Sequence, residues 1–408
     1  MKIRSITSFF DPAKAPVKQT LEPLARFSRD LQKRCEEKGF IVQSTRAATP
    51  PFTTYLSPQQ ENWIKEIRHL ESLTQELGWA YLSAGPATPE SPNSYVLIPS
   101  LLAATQNVFF GGVIADKKQV YPAALRASAN IIVESAKISP DGFANLRFAA
   151  LANVPPFAPF FPAAYHESGH NPAFSLAIEC ADEAVKAFSG LISLEEARNR
   201  FLIALEQNAE RLTDICNEMS AQYKVVFKGL DFSPAPFPED WCSLGKAFET
   251  LGLDHIGGAG SLAAAAFIAD ALDRGKWQRA GFNGLMLAVL EDSILAARAE
   301  AGLLSIKDLL LYSAVCGTGL DTIPLPGNTT VGSLSAVLLD LGALAVRLGK
   351  PLTGRLMPIP GKQAGDKTEF DFGFFANSRV MALDSQEIRA PLLTSEPIQL
   401  NPRKTSAP

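Results

Sequence analysis

The chain of 408 residues lacks the features that mark nucleic-acid-binding, secreted and membrane-spanning proteins. Its formal net charge is −4 and it contains no basic tract, whereas nucleic-acid binding needs a basic stripe. Its N-terminal segment has no apolar stretch long enough for a signal peptide. The longest apolar runs, 261–272 and 331–346, are shorter than the roughly 18 residues that cross a bilayer. We therefore predict buried helices there, and no nucleic-acid or membrane partner.

Cysteine is scarce, and its spacing argues against a disulfide framework. The five cysteines are far apart, odd in number and spread over a long chain. This pattern predicts reduced thiols and a cytoplasmic protein. Hydrophobic residues make up 47% of the chain and charged residues 20%, which allows a sizeable core. The apolar composition also favours a homodimer.

Strand and helix signals alternate from the start of the chain. Residues 2–10, 40–46 and 79–83 have strand-like patterns, and 17–38 and 57–77 have apolar residues at helical spacing. This order predicts α/β architecture. Further along, 173–188 and 193–222 are predicted helices, and Ser193 with Glu196 forms a capping box for the second.

The segment 316–330 is the strongest candidate site. It carries a thiol, a carboxylate and hydroxyls among glycines and prolines, and an apolar helical run follows it. Thr322, Asn328 and Thr329 would bind a phosphate or carboxylate near the helix N-terminus. Asp321 would be a metal ligand or an acid/base group, and Cys316 a nucleophile. The alternative interpretation is a well-capped turn between a strand and a helix.

A second charged segment, 353–366, has Arg355 on a predicted strand and Lys362 and Asp366 in a Pro/Gly loop. Arg binds carboxylate or phosphate with two parallel hydrogen bonds, and Lys adds a mobile charge. Arg355 and Lys362 would hold an anion, and Asp366 would share a divalent metal with Asp321. Solvated charges on a surface loop are the other interpretation.

Three further features carry ionisable groups. Arg147 enters an apolar strand and needs a partner, either a ligand or a structural carboxylate. The sequence His166-Glu-Ser-Gly-His170 matches a zinc-peptidase pattern, but Gly169 and Pro172 favour a loop over the required helix. His166 stays a candidate acid/base. Glu291 and Asp292 end an apolar run as metal-ligand candidates, unless Asp292 caps helix 293–300.

Four stretches together resemble a known family: MKIRSITSFFDP, NLRFAALANVPPFAPFFPAAYH, CGTGLDTIPLPGNT and GRLMPIPGKQAGD. They resemble the uncharacterised bacterial and archaeal family numbered 711 among domains of unknown function, over about residues 1–385. The resemblance implies a ten-stranded α/β barrel of two antiparallel halves with helices outside, similar to pyruvate formate-lyase and anaerobic ribonucleotide reductase. A single domain, 1–385, would precede a Pro-rich tail, 386–408.

The fold relatives use a cysteine on an interior loop and a glycyl radical near the C-terminus. By analogy, Cys316 would lie on such a loop. The nearest counterpart of the radical segment, 379–382, contains no glycine, so we predict no glycyl radical.

Two functions follow from these observations. The first is an enzyme that binds a small anionic metabolite inside the barrel, with metal-assisted or acid/base lyase, isomerase or hydrolase chemistry. The second is a non-catalytic ligand-binding or regulatory barrel. Two titratable groups near a common point in the pocket would favour the enzyme.

Overall fold

The computed structural model describes residues 1–14, 16–190, 193–384, 387–392 and 394–403. Strands and helices alternate through most of these ranges. The strands are β1 (Lys2–Phe9), β2 (Thr45–Ala48), β3 (Tyr81–Ala87), β4 (Val108–Ala115), β5 (Gln119–Val120), β6 (Phe148–Ala152), β7 (Ala173–Glu179), β8 (Val226–Asp231), β9 (Gly319–Pro326), β10 (Leu352–Ile359) and β11 (Ile398–Gln399). The helices are α1 (Val17–Glu37), α2 (Trp63–Glu76), α3 (Asn93–Ala104), α4 (Pro122–Ala136), α5 (Ala181–Phe188), α6 (Leu194–Tyr223), α7 (Leu244–Thr250), α8 (Ser261–Arg274), α9 (Ser293–Glu300), α10 (Ile306–Val315) and α11 (Val331–Leu348).

The protein is a mixed α/β protein built on one large sheet of 11 strands. The order of its main path is β8-β7-β1-β2-β3-β4-β6-β10-β9. Neighbours from β1 to β6 are parallel, as are the pairs β7–β8 and β9–β10, whereas β1–β7 and β6–β10 are antiparallel. The sheet therefore combines parallel runs of opposite direction.

The predicted closed ten-stranded barrel is not confirmed, because the hydrogen-bonded path ends at β8 and β9. The chain between these edges makes only single parallel bridges, Leu230 to Arg279 and Ala288 to Asp321. In this segment Gly281 and Asn283 have φ values of 74° and 46°. Left-handed backbone cannot continue a pleated ladder, so no regular strand closes the gap within the described chain.

Two local predictions are wrong. Residues 173–188 are not one helix: they form β7 and α5, because pairing with β1 and β8 overrides the helical spacing. Segment 316–330 is not an interior loop, since most of it is β9. Its prolines are tolerated because β9 has a regular ladder on one side only, with β10.

The helix ends largely follow the capping chemistry. Ser193 Oγ accepts a hydrogen bond from Glu196 N at 3.2 Å at the start of α6. Thr330 Oγ1 accepts one from Ser333 N at 3.1 Å at the start of α11. α11 is long and apolar enough to cross a bilayer, but 56% of it is buried inside the fold. It packs against α4 and β10, as the core helix predicted at 331–346 would.

The main hydrophobic core lies between the sheet and the helices, and includes Phe110, Phe174 and Leu338. The C-terminal segment adds β11 to β5, so this part of the predicted tail is attached to the sheet. The predicted boundary at 385, and residues 386, 393 and 404–408 of that tail, lie outside the described residues.

The connection from β6 to β7 enters the interior and positions the candidate site. Its residues Phe157, Phe160 and Phe161 are less than a tenth exposed. Strand hydroxyls hold its backbone carbonyls: Thr7 Oγ1 donates to Pro159 O at 2.9 Å, and Ser83 Oγ donates to Ala164 O at 2.6 Å. The interior loop is therefore 153–166, and not 316–330 as the sequence predicted.

Candidate functional site

A cavity of about 710 Å³ lies between the sheet and the interior loop. This volume is within the range of small-molecule sites. The strands contribute Arg4, Arg46, Tyr81, Phe109, Ala149, Asp321 and Arg355 to its wall. A groove of about 770 Å³ along α2 is more open and is lined by surface charges such as Lys65 and Arg68. The interior cavity is therefore the stronger candidate site.

A continuous chain of ion pairs runs along one side of the cavity. Arg4 bridges Glu179 at 3.1 Å and Glu291 at 2.5 Å. Arg355 bridges Glu291 at 2.7 Å and Asp321 at 2.5 Å. The five side chains alternate in sign in the order Glu179, Arg4, Glu291, Arg355, Asp321. Buried charges need such partners, and these come from five separate elements.

The two carboxyl groups on Arg355 have opposite pKa shifts. Burial raises the pKa of Asp321 against the pull of Arg355, and the charge of Glu291 adds to this rise. Burial acts on Glu291 in the same direction, but Arg4 and Arg355 together hold the pKa of Glu291 below its ordinary value. Asp321 is therefore the easier of the two to protonate.

Arg46 lines the cavity without a carboxylate partner in the described chain, in contrast to Arg4 and Arg355. Its Nε donates to Ser44 Oγ at 3.0 Å, and its guanidinium lies 5.5 Å from the ring centre of Tyr81 and 5.1 Å from that of Phe161. In the described part of the chain it forms no ion pair. Burial, with Arg4 nearby, lowers the pKa of Arg46 to about 9, so the group stays charged at neutral pH.

The structure brings together three of the predicted residues, because Arg355 pairs with both Asp321 and Glu291. Arg147 also lines the cavity, but its guanidinium donates to the carbonyls of Leu102 at 2.8 Å and Thr105 at 3.0 Å. Its partner is thus the backbone. Thr322 is buried with φ of 45°, and its Oγ1 accepts a hydrogen bond from Leu290 N at 3.3 Å. It fixes the turn before Glu291.

Cys316 and His166 do not line the cavity. Cys316 follows α10, and burial raises the pKa of its thiol, which disfavours a reactive thiolate. His166 is fully buried, packs on Phe9 and Phe157, and has no hydrogen-bond partner for either ring nitrogen among the described residues. Burial lowers the pKa of His166 to about 4, so it is a neutral core residue at pH 7.

The remaining predicted residues lie in surface turns outside the cavity. Asn328 is exposed, and Thr329 Oγ1 donates to Pro326 O at 2.6 Å. Lys362 pairs with Glu369 at 2.9 Å, and the exposed Asp366 accepts from Gln363 N at 2.6 Å. Asp366 is therefore not placed to share a metal with Asp321. The described ranges contain no group of three or more His, Cys, Asp or Glu arranged for a metal ion.

The comparison with known protein families identifies the chain. The family model described as "Uncharacterised ACR (DUF711)" matches residues 1–378. The chain belongs to the DUF711 family. The resemblance of its four stretches is confirmed at this level.

Relatives named UPF0210 protein occur in archaea and bacteria. One from Pyrobaculum islandicum is 29% identical over 414 residues, covering 97% of this chain and 88% of that protein. One from Acetivibrio thermocellus is 28% identical, with 94% and 91% covered, and one from Neisseria gonorrhoeae is 27% identical, with 81% and 76% covered. These names state no reaction.

Arg4, Arg46 and Glu179 of this DUF711 protein were not predicted from the sequence. They lie in three different strands, β1, β2 and β7, without a motif around them. Arg4 and Arg46 line the cavity, and Glu179 meets Arg4 across 175 residues of sequence. A signal existed for Arg46, which is flanked by small residues that leave room beside a large side chain.

Proposed function

We propose that this DUF711 protein is an enzyme that binds a small organic anion in the interior cavity, with Arg46 as the anchor. The observation that carries the proposal is a partly buried guanidinium that lines the cavity without a carboxylate partner in the described chain. An uncompensated charge in a low-dielectric site is costly. A bound anion would remove that cost.

The proposed chemistry is proton transfer by Asp321. One oxygen of Asp321 accepts from Arg355 Nε, which fixes the carboxyl group and leaves the second oxygen for a ligand. Glu291, held ionised by two arginines, raises the proton affinity of Asp321. Carboxyl groups whose pKa values are pushed apart are typical of acid/base sites. Acid/base isomerase, lyase or hydrolase chemistry fits this arrangement, without a glycyl radical.

This proposal includes three further expectations, on the fold, the oligomeric state and the location of the protein. The two bridges at Arg279 and Ala288 support a barrel of the pyruvate formate-lyase type. A homodimer and a cytoplasmic location are suggested by composition and free cysteines alone.

A non-catalytic ligand-binding protein is the second candidate. The two ion pairs of Glu291 favour it, because a carboxylate that two arginines hold ionised is a poorer base. Such a protein would need Arg46 but not the proton affinity of Asp321.

A thermal-shift screen of the full chain tests the proposal, using phosphorylated and carboxylated metabolites with and without divalent metal ions. A ligand at about 100 times its Kd adds about 2.7 kcal/mol of stability. We expect at least one anion to stabilise the wild type and R46Q to lose that effect. The control R211Q removes a guanidinium 4.5 Å from the ring centre of Phe40, outside the cavity.

The same screen separates the two candidates. For the enzyme, D321N should still bind the hit but abolish its turnover, followed by NMR of the ligand. Binding without turnover by the wild type would favour the non-catalytic protein. Equal stabilisation of wild type and R46Q by every hit, or no hit at all, would contradict the proposal.

A further inference from the structure

We infer that the cavity takes a monocarboxylate with a flat aromatic body. The inference rests on the proposed function and specifies its ligand class. It stands on the charge balance of the cavity, the free edge of the Arg46 guanidinium and the aromatic wall beside it.

The charges around the cavity favour a ligand with a single negative charge. The lining contains four arginines (4, 46, 147 and 355) and three acids (141, 291 and 321), and Glu179, which pairs with Arg4, makes a fourth acid, so the site has no excess of positive charge to hold a dianion. Arg46 forms no ion pair in the described chain, and its guanidinium offers one charge to a monoanion. A dianion such as phosphate would place its second charge near Glu291 and Asp321, where the low dielectric strengthens repulsion.

The Arg46 guanidinium presents its edge to the ligand. The rings of Tyr81 and Phe161 lie at 5.5 Å and 5.1 Å from its central carbon, and Nε is occupied by Ser44 Oγ. The two terminal nitrogens have no hydrogen-bond partner among the described residues. Two such nitrogens in one plane match the two oxygens of a carboxylate. The planar fork therefore selects carboxylate by geometry as well as by charge.

Aromatic rings continue away from Arg46 and form the wall for the ligand body. Phe109 packs edge-to-face on Tyr81 at 5.4 Å and on Phe161 at 5.2 Å. Phe282 and Phe372 also line the cavity. By contrast, the hydroxyls of Ser44 and Thr353 donate to protein carbonyls, Arg4 O and Thr318 O. A flat apolar body fits this aromatic wall, and the hydroxyls of Ser139 and Thr318, which line the cavity without a partner in the described chain, can each serve one polar group of the ligand.

Isothermal titration calorimetry with five probes tests the inference on the full chain. Benzoate and cinnamate have both a carboxylate and an aromatic ring. Benzyl alcohol has the ring without the charge, and acetate has the carboxylate without the ring. Inorganic phosphate is a tetrahedral anion that can carry two charges. We expect heat only from the two aromatic carboxylates. R46Q should weaken their binding by roughly 10- to 100-fold, the range for a charged hydrogen bond. R46K keeps the charge without the fork and should also weaken binding.

Two controls separate the site from general effects on folding. F161L removes one ring beside Arg46 and should weaken cinnamate binding by roughly 3- to 10-fold, the range for an aromatic contact. R211Q, on the outer surface, should bind like the wild type. Circular dichroism of each variant shows whether it is folded. If R46Q does not fold, the effect of F161L on cinnamate binding decides the test.

Each other outcome overturns the inference. Phosphate binding that R46Q abolishes, without aromatic carboxylate binding, would overturn the ligand class but keep the anion site of the proposed function. Aromatic carboxylate binding that R46Q and F161L leave unchanged would overturn both. The absence of binding heat from all five probes would overturn the ligand class, and the wider metabolite screen then decides the proposed function.

Discussion

Replacing Arg46 with methionine is expected to stabilise the unliganded protein, which is unusual for a substitution in the interior. The guanidinium is a charge without a carboxylate partner in the described chain. Methionine keeps most of the apolar stem and removes the charge. The protein should therefore become more stable while losing the proposed anion site, a trade between stability and function.

The magnitude follows from the pKa of Arg46. Burial lowers this pKa to about 9, which corresponds to about 5 kcal/mol against the charged form at about 1.4 kcal/mol per pKa unit. Contacts with the rings of Tyr81 and Phe161 return about 1 kcal/mol each. Because water in the cavity screens the charge, we expect a net gain of about 1–3 kcal/mol for R46M. The gain should vanish when a carboxylate ligand is present.

Urea unfolding at pH 7, followed by circular dichroism, measures this gain. R211M serves as the matched control, since it removes a guanidinium that also lies on a ring, 4.5 Å from the centre of Phe40. Because Arg211 also donates a hydrogen bond to Lys38 O at 2.8 Å, the control should lower the free energy of unfolding by about 0.5–2 kcal/mol. A loss in R46M as large as that in R211M, in place of a gain, would show that Arg46 is a structural cation and refute the reasoning.

Three other substitutions test the surrounding structure. D321N leaves Arg355 with Glu291 alone and should cost about 1–3 kcal/mol in urea unfolding; no loss would mean that the pair is solvated. D292A removes the acceptor for the amides of Leu244, Ile294 and Leu295 and should cost at least about 3 kcal/mol. Because the pKa of His166 is lowered to about 4, the wild type should lose about 3 kcal/mol relative to H166L between pH 6.5 and pH 4. Parallel pH profiles would contradict this assignment of His166.

Helices were predicted correctly where the spacing of apolar residues matches the face that the fold buries. α6 and α11 were predicted to within two residues at each end because their apolar spacing, caps and length all indicate helix. Residues 173–179 have an apolar pattern that fits either element, and only pairing with β1 and β8 decides for a strand. The irregular segment between β8 and β9 has no local signal, because its position depends on two strands distant in sequence.

The candidate site was predicted in part for the same reason. The glycines and prolines around Asp321 and Arg355 predict these two residues as site candidates. Their contact, however, joins residues 34 apart in the sequence, so the sequence does not predict the pair. Cys316, Lys362 and Asp366 have similar neighbours and face away from the cavity or lie on the surface. Glycines and prolines indicate that a loop has a defined backbone conformation. Which of its side chains contact one another depends on the fold.

The interior of this protein carries more charge than stability requires. Taking each ion out of water costs several kcal/mol, and apolar side chains of similar volume are often as stable as a buried ion pair. Yet the chain of ion pairs from Glu179 to Asp321 connects β7, β1, the turn at Val289–Glu291, β10 and β9 around one cavity. Its three acids outnumber its two arginines, yet it leaves Arg46, on β2, outside it. Ion pairs that served stability alone would have used the excess carboxylate to pair with Arg46. An interior that holds Asp321 in place and keeps Arg46 unpaired is instead arranged for an anion that is absent until it binds.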